Sequence, residues 1–309
     1  MAYLARVLNA SGFGKIAFAQ TIIVYFGLIT DFGFGLRTVS IREIARNREE
    51  IKRYVSNLLA LKLVLAIISF ALLLAFLIFI NKPINYKILI ALFGLTLFPQ
   101  VLLLDWVFEG IEQMEFIAIA YIIRPAIYLL LLFLFVKAPQ DLLNVPLLFL
   151  ASLFSIVILL GHIFIKKYGW FRLSLDIKFW KRLVLMALPL GLSGILLEIN
   201  NGINIVMLGF MKSDEAVGWY SAAYRITFFL IGIIGPLTVA IFPVMSRYFK
   251  ESTEKLRKLI YYSAKVTIFL GMPIAIGGAI LSPKIIRLIY GNNFQESILV
   301  FQILLGYLF

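Results

Sequence analysis

Apolar runs of about twenty residues recur along this chain, and the breaks between them are too short to fold alone. They cover residues 16–36, 58–80, 88–108, 116–136, 146–165, 183–210, 220–242 and 266–281, with a ninth, 298–309, meeting the end of the chain. A hydrocarbon core of roughly 30 Å takes about 20 helical residues to cross. In lipid every backbone amide must be satisfied within its own segment, so the crossings have to be helices. The pattern predicts an all-α polytopic membrane protein. Composition agrees, with 62% hydrophobic residues, a mean hydropathy of +0.99 and 28 Phe spread over the whole length.

Much chemistry is excluded at once. With no cysteine there is neither a disulfide framework nor a thiolate metal site, and the single histidine, His162, leaves little for metal or general-base work. No cofactor and no enzymatic activity are expected. Residues 1–8 carry Arg6 but no apolar core followed by a small-residue cleavage site, so the first span is expected to serve as the targeting signal.

A net charge of +13 invites a nucleic-acid partner, but the placement of the charges argues against one. Eighteen of the 29 Lys and Arg fall in three breaks, at 37–53, 166–182 and 247–265, which share one side if the spans alternate in direction. The opposite breaks hold eight, among them Lys82 and Lys212, and the fourth break on the basic side, 109–115, is acidic. This is the positive-inside pattern. It predicts a multi-pass protein of the cytoplasmic membrane whose basic loops face the cytoplasm and hold anionic lipid headgroups.

The chain also compares with itself. Residues 5–26 compare with the region 205–229, with Gly14 over Gly218 and Ala19 over Ala223 at an offset of 204, and Glu49, Lys52 and Arg53 fall over Glu254, Arg257 and Lys258 one residue further on. Two halves in parallel orientation are expected, as in several transporter folds. We read an N-terminal lobe at 1–165, a cytoplasmic linker at 166–182 and a C-terminal lobe at 183–309. The long span 183–210 has no full counterpart before Gly14, and the first half projected onto the second runs beyond Phe309. The repeat therefore predicts a bundle truncated at both ends, short of its first helix and of roughly its last three.

Several motifs share one resemblance. They are the opening Ala5-Arg6-x-Leu8 with Gly12-Phe-Gly14, Asp31-Phe-Gly-Phe-Gly35 followed by Arg42-Glu-Ile-Ala-Arg46, and Asp105-Trp-Val-Phe-Glu-Gly110; then Leu188-Pro-Leu-Gly191, Val217-Gly-Trp-Tyr-Ser-Ala-Ala-Tyr-Arg225, Pro243-Val-Met-Ser-Arg247 and Tyr290-Gly-x-x-Phe294. In order and as a set, they resemble the polysaccharide and O-antigen repeat-unit flippases of the multidrug/oligosaccharidyl-lipid/polysaccharide exporter superfamily. Asn9 stands where that family usually has Gly. The resemblance implies a MATE-like carrier of two helical lobes around a central cavity. It would turn polyprenyl-diphosphate-linked oligosaccharide across the cytoplasmic membrane, with that glycan, membrane lipids and other polysaccharide-assembly proteins as partners.

Ionisable residues within spans are where a polar path should be sought. Arg124, mid-span and followed by Pro125, is the first candidate for a cation that pairs with pyrophosphate, since a forked guanidinium suits that group. The bland alternative is a snorkelling Arg, or one paired with Asp105 or Glu109. Arg6 and Arg225, nearer the outer ends of their spans, can snorkel more easily; their places in the Ala-Arg and Ala-Ala-Tyr-Arg motifs raise them as substrate-binding residues. Glu198 and Asn201, with Asn204, form a polar side of the span 183–210 at spacings of three. Asn204 occupies the neighbourhood where many relatives carry an Asp, which weakens an ion-coupling role there.

Other polar residues read as structural. Asp31 is expected to pair with Arg37, and Lys62 to snorkel to the cytoplasm. Trp106, Trp170, Trp219 and Tyr220 read as interface-belt residues. Spans interrupted by Pro189, Pro236 and Pro273 suit helices that bend beside a cavity. Two rival classes remain: a multidrug or cation antiporter of the same superfamily, which would need a carboxylate-rich cavity, and an integral-membrane enzyme of glycan assembly, which would need a larger outer loop or an acidic metal-binding motif.

Overall fold

The computed structural model describes residues 1–306, apart from the side chains of residues 233–240. Pro236 and the last three residues of the expected ninth span lie outside the described residues. The described chain is helical, without strands, and seven helical stretches are long and apolar enough to cross a membrane. The α-helices are α1 (Ala2–Asp31), α2 (Gly35–Arg46), α3 (Ile51–Phe79), α4 (Ile84–Gly94), α5 (Leu97–Leu102) and α6 (Asp105–Gly110). They continue as α7 (Met114–Phe135), α8 (Asn144–Tyr168), α9 (Ile177–Met211), α10 (Asp214–Glu251), α11 (Thr253–Tyr290) and α12 (Ser297–Leu305).

The span expected at 88–108 lies within one stretch of membrane-spanning length, Ile84–Gly110, but that stretch is built of three helices, α4 to α6, joined by short turns. Pro99 lacks the N–H that would continue the ladder from the turn at Leu95 and Thr96. The Thr96 hydroxyl bonds back to the Phe93 carbonyl at 2.6 Å and caps the break.

The chain forms two compact units. Residues 15–211 make one, and residues 1–14 with 212–309 make the other. The larger unit is built around α2, which buries Leu36, Val39, Ser40 and Ile44, the spacing of one helical face. Against this face pack Tyr54, Val55 and Leu58 of α3, Trp106 to Phe108 of α6, Phe164 of α8, and Phe179, Leu183 and Ala187 of α9. Trp106 is 1% exposed, which corrects its reading as an interface-belt residue. Its ring fills the core at the α2–α6 junction.

The Asp31-Phe-Gly-Phe-Gly35 motif is the left-handed turn that leads into α2. Phe32, Gly33 and Phe34 take φ of 46°, 58° and 69° in succession. A Cβ on Gly33 would stand 2.2 Å from the Gly191 carbonyl oxygen, so this turn lies directly on the α9 backbone. Close approach of this kind needs small residues on both sides, and Gly191 and Gly194 supply them.

The smaller unit is assembled from motifs distant in sequence. Phe13 of α1 meets Tyr290 and Phe294 with ring centroids 6.0 and 5.8 Å away. The Tyr290 hydroxyl donates to the Ala222 carbonyl at 3.1 Å, and Trp219 Nε1 to the Asn293 carbonyl at 3.2 Å. Asn293 in turn donates to Asn9 Oδ1 at 2.6 Å. Asn9 sits at φ 59°, ψ −179°, a kink inside α1 in a region open almost only to Gly.

Candidate functional site

Within the larger unit, the end of α1, the start of α2 and parts of α3, α5, α6 and α7 line an open cavity of about 590 Å³. Its polar lining comprises Asp31, Arg37, Lys62, Gln100, Asp105 and Arg124, with Thr30, Tyr121 and Trp106 beside them. Arg124 lies ten residues into α7 and Lys62 eleven into α3, so both stand about 15 Å along their helices at 1.5 Å per residue. Charge is thus carried well inside helices of membrane-spanning length.

Two ion-pair systems organise this charge. Lys62 Nζ stands 2.7 Å from Asp31 Oδ1, with side chains 8% and 17% exposed. This corrects the expectation that Lys62 snorkels: the ammonium turns inward to a carboxylate. Arg37 spans two acids, with Nη1 at 2.6 Å from Asp105 Oδ2 and Nη2 at 2.6 Å from Glu109 Oε2. Asp31 does contact Arg37, but through the backbone N–H at 3.1 Å rather than the guanidinium. Burial works against the Arg37 charge, yet the two carboxylates outweigh it and raise the guanidinium's proton affinity above its ordinary value.

Arg124 differs from both. The acids suggested as its structural partners are held by Arg37, and among the described residues Arg124 makes no ion pair. Its guanidinium carbon lies 4.9 Å from the centroid of the Phe149 ring on α8, and Tyr128 packs edge-on to the same ring at 5.3 Å. A ring face orients a cation while leaving its hydrogen-bond donors open. The next residue, Pro125, has no N–H to offer the Tyr121 carbonyl one turn back, so the regular helical bond at that position is missing. Trp106 buries its indole N–H without a protein acceptor.

The other sequence candidates are not in this cavity. Glu198 is half-buried on α9, Asn201 is exposed, and neither lines it. Arg6 and Arg225 belong to the smaller unit. Arg6 Nε donates to the Ile289 carbonyl at 3.1 Å and its Nη2 to that of Leu288, at the C-terminal end of α11. These carbonyls have no partner within the helix, and a cation there also complements the helix dipole. The Arg225 guanidinium lies 5.6 Å over the Phe13 ring. Lys62, Gln100 and Tyr121 escaped sequence reasoning. Lys62 sits about one turn inside the apolar run that begins at residue 58, shallow enough for snorkelling by position alone, so its inward turn rests on Asp31 of another helix.

Comparison with known proteins agrees with this architecture. The chain is 28% identical over 307 residues to a "Putative O-antigen transporter" of Shigella dysenteriae, covering 96% of this chain and 74% of that one. It is 23% identical over 309 residues to a protein of the same name in Escherichia coli K12, covering 98% and 73%. Among solved structures it resembles an inward-facing multidrug resistance MATE family transporter of the MOP superfamily, with a TM-score of 0.69 at 16% identity over 99% of this chain and 75% of the other. A MATE structure in a bent conformation aligns with a TM-score of 0.54 at 15% identity, over 99% and 78%. At such identities these structures speak for the fold alone: a multi-pass, all-α, MATE-like membrane protein. The family profile described as polysaccharide biosynthesis protein matches residues 1–249, which hold most of the motifs that build both units, and the chain belongs to that family.

Proposed function

We propose that this protein is a flippase, not an enzyme, and that it moves a polyprenyl-diphosphate-linked oligosaccharide across the cytoplasmic membrane for surface polysaccharide synthesis. The observation that carries the reading is Arg124: a mid-helix guanidinium at the cavity of the larger unit, held by an aromatic face and in no ion pair among the described residues. A diphosphate crossing apolar core needs compensating positive charge, and a forked guanidinium can bond it at two oxygens. Gln100 and Tyr121, which also line the cavity, offer neutral donors and acceptors suited to sugar hydroxyls. The names of the curated relatives agree with an O-antigen cargo.

The antiporter reading is less well supported. A cationic drug calls for an available carboxylate, and both acids lining this cavity, Asp31 and Asp105, already hold a cation. The lobes at 1–165 and 183–309, and substrate roles for Arg6, Arg225, Glu198 and Asn201, stay part of the proposal with less behind them. Complementation of a flippase-deficient strain tests it. Arg124→Ala should abolish surface-glycan production at normal protein level, and Arg124→Lys should keep part of it, since the charge survives without the fork. Full glycan production by Arg124→Ala would remove Arg124 from the site and with it the main support for an anionic cargo.

A further inference from the structure

The connection between α8 and α9, residues 169–176, has neither helix nor strand but is tied to its neighbours at several points. The Ser174 N–H donates to the Ser56 carbonyl at 3.3 Å, and the Asp176 N–H to Asn57 Oδ1 at 3.2 Å. Asp176 Oδ1 then accepts from the Phe179 N–H at 3.0 Å and caps α9. Arg53 adds a contact to Asp176 at 3.8 Å and lies 5.0 Å over the Phe179 ring. The segment is therefore fixed along the first turns of α3.

With Ser174 and Asp176 held to α3, the residues on either side of them are left exposed. Leu173, Leu175 and Ile177 recur at every second position and are 53%, 71% and 75% exposed, and Trp170 is 75% exposed. Exposed cations flank them: Lys166 and Lys167 before, Arg172 within, and Lys178, Lys181 and Arg182 after. The only acid in the stretch, Asp176, is already engaged with Arg53 and the α9 backbone.

Its level follows from its anchors. Ser56 and Asn57 immediately precede the apolar run that begins at residue 58, the apolar run of α8 ends at 165, and that of α9 begins at 183. The segment thus lies where hydrocarbon gives way to headgroups. Apolar side chains projecting there, ringed by Lys and Arg, match an anionic leaflet in both polarity and charge.

We propose that residues 169–177 form an interfacial anchor, inserting Trp170, Leu173, Leu175 and Ile177 among the acyl chains of anionic phospholipids whose headgroups are held by the surrounding Lys and Arg. The anchor ties the α8–α9 connection to the cytoplasmic leaflet. It does not depend on the cargo.

The chain's lack of cysteine makes the test direct. Spin labels on Leu173→Cys, Leu175→Cys and Ile177→Cys would be compared with one on the exposed Glu49→Cys, in vesicles of phosphatidylcholine with and without phosphatidylglycerol. With phosphatidylglycerol, the three labels should be accessible to oxygen and shielded from a water-soluble nickel chelate, whereas the label at position 49 should not. Changing Lys166, Lys167 and Arg172 to Gln should weaken that shielding. The labelled side chains are exposed, so unchanged melting temperatures will separate a lost anchor from a lost fold. Labels that meet the chelate as freely as position 49, or shielding indifferent to both phosphatidylglycerol and the Gln changes, would overturn the proposal. Shielding that arises only when other membrane proteins are added would name a protein partner and overturn it equally.

Discussion

Lys62 and Asp31 form an ion pair between α3 and the last residue of α1, with nitrogen and oxygen 2.7 Å apart and both side chains largely withdrawn from solvent. Removing one member leaves the other as an uncompensated buried charge, at a cost of about 3–5 kcal/mol. We expect Lys62→Met to lower the melting temperature of the purified protein markedly. The double variant Lys62→Met with Asp31→Asn should recover much of the loss. Additive losses in that cycle would show that the two residues do not act as a pair.

Arg37 is expected to tolerate no lysine. The change Arg37→Lys would bring a single ammonium to Asp105 and Glu109, where the guanidinium now meets each with a separate nitrogen. Because the folded state raises the Arg37 proton affinity, the stabilisation is complete below the ordinary guanidinium range and is lost only as pH climbs through the raised value. The stability deficit of Arg37→Gln should therefore stay constant from about pH 7 to 10, as denaturation series at several pH values would report. A deficit that shrinks across that interval would contradict this assignment.

Phe149 should act on Arg124 through its ring face. Phe149→Leu removes the face but keeps an apolar side chain, whereas Phe149→Trp offers a stronger cation partner. If the ring positions the guanidinium, glycan production in the complementation assay falls with Leu and is better kept with Trp, although Trp is the worse steric fit. Equal activity of the two variants would confine Phe149 to packing.

Asn9 carries a strained backbone that glycine would relieve. Its conformation costs of order 1–3 kcal/mol, against about 1 kcal/mol for its hydrogen bond to Asn293. Asn9→Gly should leave the protein as stable as before or more so, and Asn9→Ala, which loses the bond and keeps the strain, should destabilise it. Thermal unfolding of both variants decides the matter, and an Ala variant more stable than the Gly one would show the strain reading to be wrong.

Topology can be probed in the same cysteine-free background. Lys82→Cys should react with an impermeant reagent in intact cells, and Lys255→Cys only after permeabilisation, as the distribution of Lys and Arg requires. Labelling of position 255 in intact cells would invert the arrangement.

How far the sequence could be read depended on the range of the interaction. Helix existence follows from hydropathy within one segment, so α3, α7, α8 and α9 were legible, and a lone Arg124 stood out against its span. The division of 88–108 was not, because α4 to α6 are all apolar and hydropathy is blind to a turn inside such a run. The pairing of Lys62 with Asp31 joins residues on different helices, and a rule about one side chain and the nearest interface could not anticipate it. The motifs at Gly12-Phe13-Gly14, Trp219 and Tyr290 were visible as a set, but their use as one packed cluster around Phe13 became visible only in three dimensions.

The contact between α1 and α10 carries a last consequence. A Cβ on Gly14 would fall 1.9 Å from the Asp214 carbonyl oxygen, and one on Gly218 would fall 2.1 Å from that of Ala10. Residues 10 and 14 thus meet residues 214 and 218 crosswise, each glycine facing the counterpart of its own helix's neighbour at the 204-residue offset. In a symmetric dimer this reciprocity defines an isologous interface, in which one surface recognises itself. Here the two segments lie in a single polypeptide, so the crossing has the geometry of such an interface within one chain. A side chain at either glycine would meet backbone rather than a side chain that can yield, so α1 and α10 could admit one there only by moving apart.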